Sequence, residues 1–411
     1  MVDFEDEAEV YVINSCAVTA RADQKCRQLA RSIRRRSPES KVVVAGCYAQ
    51  LSGGRLIESG EIDAVLGNEE KRELDRWVDR IASGESVQEV GSYRRGLPMA
   101  SEWIEDFGEL SRATLKVQEG CDLRCSFCTI WKARGPSRSR APRDVVDQAV
   151  RLAQAGYEEI VLAGVHLGHY GRDLATPTTL LELLEMLLEL VGERVRFRLS
   201  SIDPGEVDLD LVRALADHPR LCRYLHLPLQ AGSDSVLSRM RRNYTVSEYA
   251  DLVESIAAID PHFGLGVDVI TGFPGETKAE FAETYRLLER LPVSFYHVFR
   301  YSDREGTPAA TMANKVPGDV SARRSEELRA LGRRKRRAFV ERHVGTVIEG
   351  VVESAKDAEG RSQIMGDDYA TIFADTSPSL HRRRVRVAVE RVDEQARLFG
   401  TALGPVEGAT G

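Results

Sequence analysis

The sequence predicts an α/β protein in three consecutive parts: an N-terminal domain with a parallel sheet, an incomplete (βα)6 barrel and a small C-terminal β-barrel. Three observations predict this order. Short apolar runs alternate with helical segments near the N-terminus, six strand–helix repeats follow, and short strands of alternating hydrophobicity end the chain. The predicted domains span residues 1–98, 107–342 and 343–405.

The N-terminal domain is predicted from three short apolar runs and one basic helix. The strands are residues 10–14, 41–45 and 62–66, and the helix is residues 20–36. Cys16 and Cys47 each follow one of these strands. Because the carboxyl ends of parallel strands meet at one edge of an open sheet, we expect these two thiols to lie together.

The central part contains six predicted strands separated by helical stretches. The strands are residues 113–117, 159–163, 194–199, 224–227, 264–270 and 293–299. Six strands rather than eight predict an incomplete, open barrel. Its chemistry is expected at the carboxyl ends of the strands, as in complete barrels.

A charged helix at residues 322–342 is predicted to lead into the C-terminal part of the chain. The strands predicted there are residues 346–352, 369–374, 384–392 and 397–401. Short strands of this kind are typical of a small β-barrel.

The composition indicates a cytoplasmic protein with no membrane partner. The N-terminus is acidic and has no apolar signal segment, and glutamates interrupt the leucine-rich run at Leu180–Leu190. Seven cysteines in a reducing compartment favour metal ligands or buried thiols over disulfides. The net charge of -7 argues against a general nucleic-acid coat, although basic residues cluster locally.

Three cysteines occur within eight residues directly after the first predicted barrel strand: Cys121, Cys125 and Cys128. Three thiolates at this spacing can hold three irons of a 4Fe-4S cluster, and no fourth cysteine lies close in sequence. The remaining iron is then open, which is typical of a catalytic metal site. A zinc site is the alternative, but residues 100–160 contain no histidine to serve as the fourth ligand.

These motifs resemble the methylthiotransferases, a family of two-cluster radical S-adenosylmethionine (SAM) enzymes with a C-terminal TRAM domain. The resemblance depends on the three-cysteine segment and on residues 11–19, 44–50, 133–140, 198–204, 226–234, 268–277 and 301–307. Residues 162–174 and 239–245 are most similar to the subgroup that modifies N6-threonylcarbamoyladenosine in tRNA. The resemblance implies methylthiolation of C2 of that nucleoside, next to the anticodon. The alternative substrate is isopentenyladenosine in tRNA.

The family resemblance also implies the cofactors. A 4Fe-4S cluster on Cys121, Cys125 and Cys128 would bind SAM and reduce it to generate a radical, with electrons from an external low-potential donor. A second, auxiliary 4Fe-4S cluster would supply the sulfur. In the family three N-terminal cysteines hold it, and Cys16 and Cys47 match the second and third of these.

The first family cysteine belongs to a strand upstream of the point where this sequence starts. We therefore expect that one ligand of the auxiliary cluster is missing here and that the natural start lies upstream. The alternative is a tRNA-binding radical SAM protein that is unable to thiolate. Cys26 lies within the predicted helix, and Cys222 lies just before the fourth predicted barrel strand. Both are predicted to be buried structural thiols.

Candidate SAM contacts are polar residues and glycines at or just after the barrel strands. They are Gly164, Ser200, Ser201, Gln230, Ser233, Asp268 and Gly272. The same residue types also serve in turns and helix caps, which is the alternative interpretation of each. The anticodon loop of tRNA is the expected partner, with phosphate contacts predicted from residues 333–337 and 382–386.

Overall fold

The computed structural model describes residues 2, 4–93, 96, 98–100 and 103–406, and the chain forms two compact units. The first unit comprises Met1–Leu97, Gly120–Pro136 and Ser302–Met312, and the second comprises Pro98–Glu119, Ser137–Tyr301 and Ala313–Gly411. The three-cysteine segment thus groups with the N-terminal sheet. The predicted domain boundary at residue 98 is next to residue 97, which, like residues 94 and 95, lies outside the described residues.

The first unit is built on a four-stranded parallel sheet in the order β1-β2-β3-β4. Its elements are β1 (Val10–Ser15), α1 (Ala20–Arg36), β2 (Lys41–Gly46), α2 (Cys47–Glu58), β3 (Ala64–Leu66), α3 (Leu74–Ala82), β4 (Val87–Glu89) and α4 (Ile130–Arg134). Alternate residues of β2 enter opposite cores: Val42 and Val44 pack with α1, whereas Val43 and Ala45 pack with α3. Helices therefore cover both faces of the sheet.

The second unit contains six parallel barrel strands in two three-stranded sheets, together with a short antiparallel pair. The strands are β5 (Ala113–Lys116), β6 (Gln118–Glu119), β7 (Arg138–Ser139), β8 (Glu159–Ala163), β9 (Arg196–Leu199), β10 (Tyr224–His226), β11 (Gly264–Thr271) and β12 (Phe295–Arg300). The sheets run in the orders β5-β8-β9 and β10-β11-β12. A parallel bridge between Phe197 and Leu221 joins them. The predicted open (βα)6 barrel is confirmed.

Helices separate the barrel strands, and three of them begin with the same motif. They are α5 (Pro142–Gln154), α6 (Leu180–Leu190), α7 (Leu209–Asp217), α8 (Asp234–Met240), α9 (Val246–Ile259), α10 (Lys278–Arg290) and α11 (Gly318–Glu341). Capping boxes led by Thr179, Thr245 and Thr277 start α6, α9 and α10. Each box satisfies backbone donors that the helix itself cannot, which fixes where the helix starts.

The C-terminal part is a closed five-stranded barrel in the order β13-β14-β15-β17-β16. Its strands are β13 (Val347–Lys356), β14 (Ser362–Gly366), β15 (Thr371–Ala374), β16 (Arg384–Val392) and β17 (Leu398–Pro405). The predicted small β-barrel is therefore confirmed, although β14 and the N-terminal β4 were not among the predicted strands.

The turn between β14 and β15 packs against the amino ends of the larger barrel's strands. Tyr369 stacks on Tyr224 with ring centroids 4.4 Å apart and meets Phe295 edge-on at 5.6 Å. A Cβ atom on Gly264 would lie only 2.0 Å from the carbonyl oxygen of Asp368. The small barrel therefore closes the end of the large barrel opposite to the carboxyl ends of its strands.

Candidate active site

Cys16 and Cys47 lie at the carboxyl edge of the N-terminal sheet, as predicted. Cys16 follows the last residue of β1 and Cys47 is the first residue of α2, directly after β2. The preceding residues, Ser15 and Gly46, are register partners. Cys16 is exposed and Cys47 is buried. The adjacent register places the two thiol-bearing positions side by side.

The three-cysteine segment forms a compact loop that leads into α4. Gly120 has a φ of +76°, and a Cβ atom there would lie 1.9 Å from the carbonyl oxygen of Pro136, so this turn requires glycine. The Cys128 amide donates to the carbonyl of Cys125 at 3.2 Å, and the Cys121 amide donates to that of Gly135 at 3.0 Å. These bonds hold three thiols on one short loop.

This loop packs on the N-terminal sheet through polar contacts near Cys47. The Asn68 amide donates to the carbonyl of Ala133 at 2.7 Å, and the Thr129 hydroxyl donates to that of Ala17 at 3.2 Å. Arg134 Nε lies 3.1 Å from Cys47 Sγ. This contact gives the sulfur of Cys47 a charged hydrogen-bond donor.

The candidate residues after β8 and β9 lie at adjacent strand ends. Gly164 packs tightly, because a Cβ atom there would lie 3.0 Å from Gln118 Oε1. The Ser200 amide donates to the carbonyl of Leu162 at 2.9 Å, while its buried hydroxyl has no hydrogen-bond partner in the described part of the chain. Ser201 is exposed. A buried, unsatisfied hydroxyl at a strand end is the kind of group that a polar ligand satisfies.

The candidate residues after β10 form part of one backbone network with β11. Gln230 adopts a left-handed φ of 66°, its amide donates to the carbonyl of Asp268 at 2.9 Å, and its own carbonyl accepts from Ile270. Such a backbone conformation is strained for a residue with a side chain and is common at ligand sites. Ser233 is buried, and its hydroxyl lies 3.1 Å from that of Ser235.

Gly272 is closely packed at the end of β11. Its φ is +76°, and a Cβ atom there would lie 2.5 Å from the hydroxyl oxygen of Ser321 on α11. Its amide donates to Glu276 Oε2 at 2.7 Å, and Glu276 also pairs with Arg324 at 2.6 Å. Glycine here allows α11 to pack directly against the strand end.

Asp268 forms a cluster with His226 and His297 that was not predicted from the sequence. His226 Nε2 donates to Asp268 Oδ1 at 2.8 Å, and His297 Nδ1 lies 3.3 Å from the same oxygen. Burial opposes ionisation of Asp268, but the two histidines outweigh it and hold the pKa of Asp268 at about 2. The hydrogen bond to Asp268 raises the pKa of His297.

A second cluster, also unforeseen, joins the loops that follow β8 and β9. It consists of His166, His169 and Glu206, whose ligand atoms lie within 4.8 Å of one another. Gly168 makes room for the carboxylate, because a Cβ atom there would lie 2.4 Å from Glu206 Oε2. The available signal was the spacing of two histidines around a glycine at a strand end.

Comparisons with known proteins agree with this architecture. The Radical SAM superfamily model matches residues 115–288, and the model of Uncharacterized protein family UPF0004 matches residues 1–67. Threonylcarbamoyladenosine tRNA methylthiotransferase MtaB of Bacillus subtilis is 35% identical, with 94% of this chain and 86% of the relative covered. MtaB of Thermotoga maritima is 39% identical, with 78% and 73% covered. The chain belongs to the MtaB-type methylthiotransferase family.

This methylthiotransferase is also similar to a related synthase and to a solved structure. The tRNA-2-methylthio-N(6)-dimethylallyladenosine synthase of Aquifex aeolicus is 30% identical, with 93% of this chain and 88% of the relative covered. The radical S-adenosylmethionine methyltransferase TsrM of Kitasatospora setae aligns with a TM-score of 0.53 at 18% identity, covering 74% of this chain and 65% of that one. The latter similarity concerns the fold alone.

Membership of this family implies SAM and 4Fe-4S clusters as cofactors. The donor set fits the first cluster, since one loop supplies three thiols and no disulfide occupies them. At the carboxyl edge of the N-terminal sheet the described residues supply two thiols, Cys16 and Cys47, with Arg134 beside the second. No helix among the described residues is long and apolar enough to span a membrane.

The other thiols of this methylthiotransferase are buried, as predicted. Cys26 is 6% exposed and Cys222 is fully buried, and burial raises the pKa of each thiol to about 11. They therefore remain protonated near neutral pH and are poor metal ligands.

The arginines just before and at the start of β16 make contacts within the protein rather than the predicted phosphate contacts. Arg384 is buried and pairs with Glu349 at 2.8 Å, and Arg383 pairs with Glu158 at 2.6 Å. Arg382 bonds the carbonyl of Gly108. The prediction is wrong for Arg384, because its side chain is inaccessible to a phosphate. Arg382 and Arg383, together with the bonds that Arg384 donates to the carbonyls of Arg194 and Pro219, fasten the small barrel onto the large one.

Proposed function

We propose that this chain is a radical SAM enzyme that adds a methylthio group to C2 of N6-threonylcarbamoyladenosine, next to the anticodon in tRNA. The observation that carries the proposal is the similarity to MtaB relatives, which extends over the N-terminal sheet, the open barrel and most of the remaining chain. The three thiols on one loop support the radical chemistry independently of the names of those relatives.

In this proposal Cys121, Cys125 and Cys128 hold the SAM-binding cluster, and Cys16 and Cys47 are ligands of the auxiliary cluster. The first cluster, when bound, supplies the electron that cleaves SAM into a radical able to attack an unreactive aromatic C–H bond. Arg134 donates to the sulfur of Cys47 and would hold that side chain in place. Residues 1–98, 107–342 and 343–405 would be the methylthiotransferase, radical SAM and TRAM domains.

The candidate SAM contacts support this assignment to different degrees. The buried hydroxyl of Ser200 and the strained backbone of Gln230 are the two features that favour a bound ligand. Gly164 and Gly272 permit close backbone packing around them, and Ser201, Ser233 and Asp268 complete the proposed set. Asp268 stays ionised at neutral pH, so it would accept hydrogen bonds from SAM or from the ribose.

The tRNA, an external low-potential electron donor and a cytoplasmic location are the remaining parts of the proposal. Arg386 is exposed on the small barrel and is the residue of the 382–386 run that could contact a phosphate. Several side chains of the 333–337 run pair internally, such as Arg333 with Glu326 at 2.8 Å. Phosphate contacts would compete with these exposed pairs, which contribute little stability.

Methylthiolation of isopentenyladenosine is the second candidate function. It is favoured by the 30% identity to the dimethylallyladenosine synthase of Aquifex aeolicus, which is lower than the identity to the MtaB relatives. A tRNA-binding protein that cannot thiolate is the third candidate, because only two thiols are found at the described N-terminal sheet edge.

Mass spectrometry of tRNA nucleosides tests these candidates directly. The chain is expressed in a strain that makes N6-threonylcarbamoyladenosine and isopentenyladenosine but methylthiolates neither. We expect 2-methylthio-N6-threonylcarbamoyladenosine to accumulate. Appearance of 2-methylthio-N6-isopentenyladenosine instead would favour the second candidate, and absence of both products would favour the third. Cys125→Ser, expressed to the same level, is the negative control.

A further inference from the structure

The cluster of His166, His169 and Glu206 lies where an open barrel binds its ligands. His166 and His169 belong to the loop after β8, and Glu206 belongs to the turn after β9. The two strands are parallel neighbours, so both loops leave the barrel at its carboxyl edge. Gly164 and Ser200, two candidate SAM contacts, start the same two loops.

One carboxylate oxygen joins the two imidazole rings. Glu206 Oε1 lies 2.6 Å from His166 Nε2 and 2.7 Å from His169 Nε2, and the rings stack with centroids 3.8 Å apart. The side chains of His166 and Glu206 are only 3% and 4% exposed, whereas that of His169 is 20% exposed. His166 and Glu206 therefore form the buried part of the cluster, and the ring of His169 is partly exposed.

The ligand atoms of the cluster lie closer together than ligand atoms around a metal ion do. Ligand atoms around one tetrahedral zinc, each bound at 2.0–2.1 Å, lie about 3.3 Å apart. The nitrogen–oxygen distances in this cluster are clearly shorter. The cluster as it stands is therefore too tight to surround a zinc ion.

Four buried atoms of the cluster form no hydrogen bond in the described part of the chain. They are Nδ1 and Nε2 of His166 and both carboxylate oxygens of Glu206. The backbone is nevertheless firmly held, because the His166 amide donates to Gln118 Oε1 at 2.7 Å. A rigid polar network that is incomplete without a further polar group is typical of a binding subsite.

Arg172 adds an exposed positive charge at the rim of the cluster. Its Nη1 lies 3.2 Å from His169 Nε2. That nitrogen accepts from Arg172, because a guanidinium can only donate. Arg172 is exposed, and the remaining N–H groups of its guanidinium suit an external anionic acceptor, such as a carboxylate.

We propose that His166, His169, Glu206 and Arg172 form the subsite that receives the threonylcarbamoyl substituent of the substrate nucleoside. This inference rests on the proposed function. The substituent carries a carboxylate, a hydroxyl and amide N–H groups, which match a guanidinium and imidazole nitrogens. An isopentenyl group offers only hydrocarbon and would leave the same polar atoms unpaired, which is strongly unfavourable.

Binding of modified anticodon stem-loops tests the subsite without relying on turnover. The full-length protein is titrated with three RNAs that carry N6-threonylcarbamoyladenosine, isopentenyladenosine or adenosine at the target position. We expect the wild type to prefer the threonylcarbamoyl RNA over the adenosine RNA. Arg172→Gln and His166→Asn should each reduce that preference about tenfold while affinity for the adenosine RNA stays unchanged.

Arg213→Gln is the matched control, since Arg213 is an exposed arginine of the same unit that pairs with Asp210 on α7. It should preserve the preference. If the wild type forms the 2-methylthio product and yet both variants keep the full preference, the subsite is overturned while the proposed function stands. Stoichiometric zinc that His166→Asn removes would also overturn the subsite. A wild type that yields no 2-methylthio product contradicts the proposed function itself.

Discussion

Arg198 donates from Nε to Oε1 of Glu159 at 2.7 Å in a region from which water is almost excluded. The two side chains are 2% and 0% exposed. Arg196 also pairs with Glu159, at 2.5 Å, and its guanidinium and that of Arg198 donate to backbone carbonyls at the end of β14, those of Met365 and Gly366. One buried carboxylate therefore joins the large barrel to the small one.

Glu159→Gln should destabilise the protein strongly. It leaves two buried guanidinium groups without a counter-charge, and breaking a buried pair in this way costs about 3–5 kcal/mol. The control is Glu61→Gln, which removes the partner of Arg31, an arginine with 57% of its side chain exposed. That change should cost less than about 1 kcal/mol. Urea unfolding followed by circular dichroism measures both, and equal effects would contradict the prediction.

The same carboxylate should make stability sensitive to acid. Burial alone would raise the pKa of Glu159, but Arg196 and Arg198 outweigh it and lower the pKa from 4.5 to about 2. A lowered pKa contributes stability that is present above the unfolded value and is lost as the pH falls through the folded one. The wild type should therefore lose stability between about pH 4.5 and pH 2, and Glu159→Gln should lose less over that range.

Gly264→Ala tests the packing of the two barrels without changing any charge. The added Cβ atom would lie 2.0 Å from the carbonyl oxygen of Asp368, so the β14–β15 turn must shift. Overpacking of this kind typically costs about 1–3 kcal/mol. Gly192→Ala is the matched control, because a Cβ atom there meets nothing within 4 Å. A melting temperature lowered by Gly192→Ala as much as by Gly264→Ala would contradict this account.

Much of the fold could be predicted from the sequence because its barrel strands are apolar and are bounded by helices. The strand at Glu159–Ala163 has the predicted bounds. The sequence could not reveal that the charged ends of such strands are buried: arginines at alternate positions, as in β9, usually indicate a solvent-facing side. The strand β14 was missed because it begins with the polar pair Ser362 and Gln363.

The candidate site, too, was predicted from the sequence only in part. The three-cysteine loop is local in sequence, so spacing alone revealed it. The cluster of His226, Asp268 and His297 was missed because its members come from three different strands, and only the register of those strands brings them together. Single histidines separated by tens of residues carry no such signal.

Asp268→Asn should lower the pKa of His297. The hydrogen bond and the charge of Asp268 raise that pKa above its usual 6.5, and asparagine keeps the shape but removes the charge. The contribution of the pair to stability is fully present below pH 6.5 and is lost as the pH rises through the raised pKa of His297. NMR titration of the histidine ring measures the change.

His218 is the internal control for that titration. Burial and Arg220 lower its pKa, and Asp268 is not among the groups that act on it. Its titration should therefore be the same in the wild type and in Asp268→Asn. A His297 pKa that stays raised in the variant would show that a group other than Asp268 causes the shift.

Cys125→Ser should remove one iron–sulfur cluster and leave the fold intact. Cys125 is 7% exposed, and serine is nearly isosteric but is a poor ligand for iron. After anaerobic reconstitution, the iron content should fall by about four atoms per chain relative to the wild type. Cys26→Ala removes a buried thiol that is not a proposed ligand, so it should retain the wild-type iron content. Equal iron content in Cys125→Ser and the wild type would exclude this loop as the site of the SAM-binding cluster.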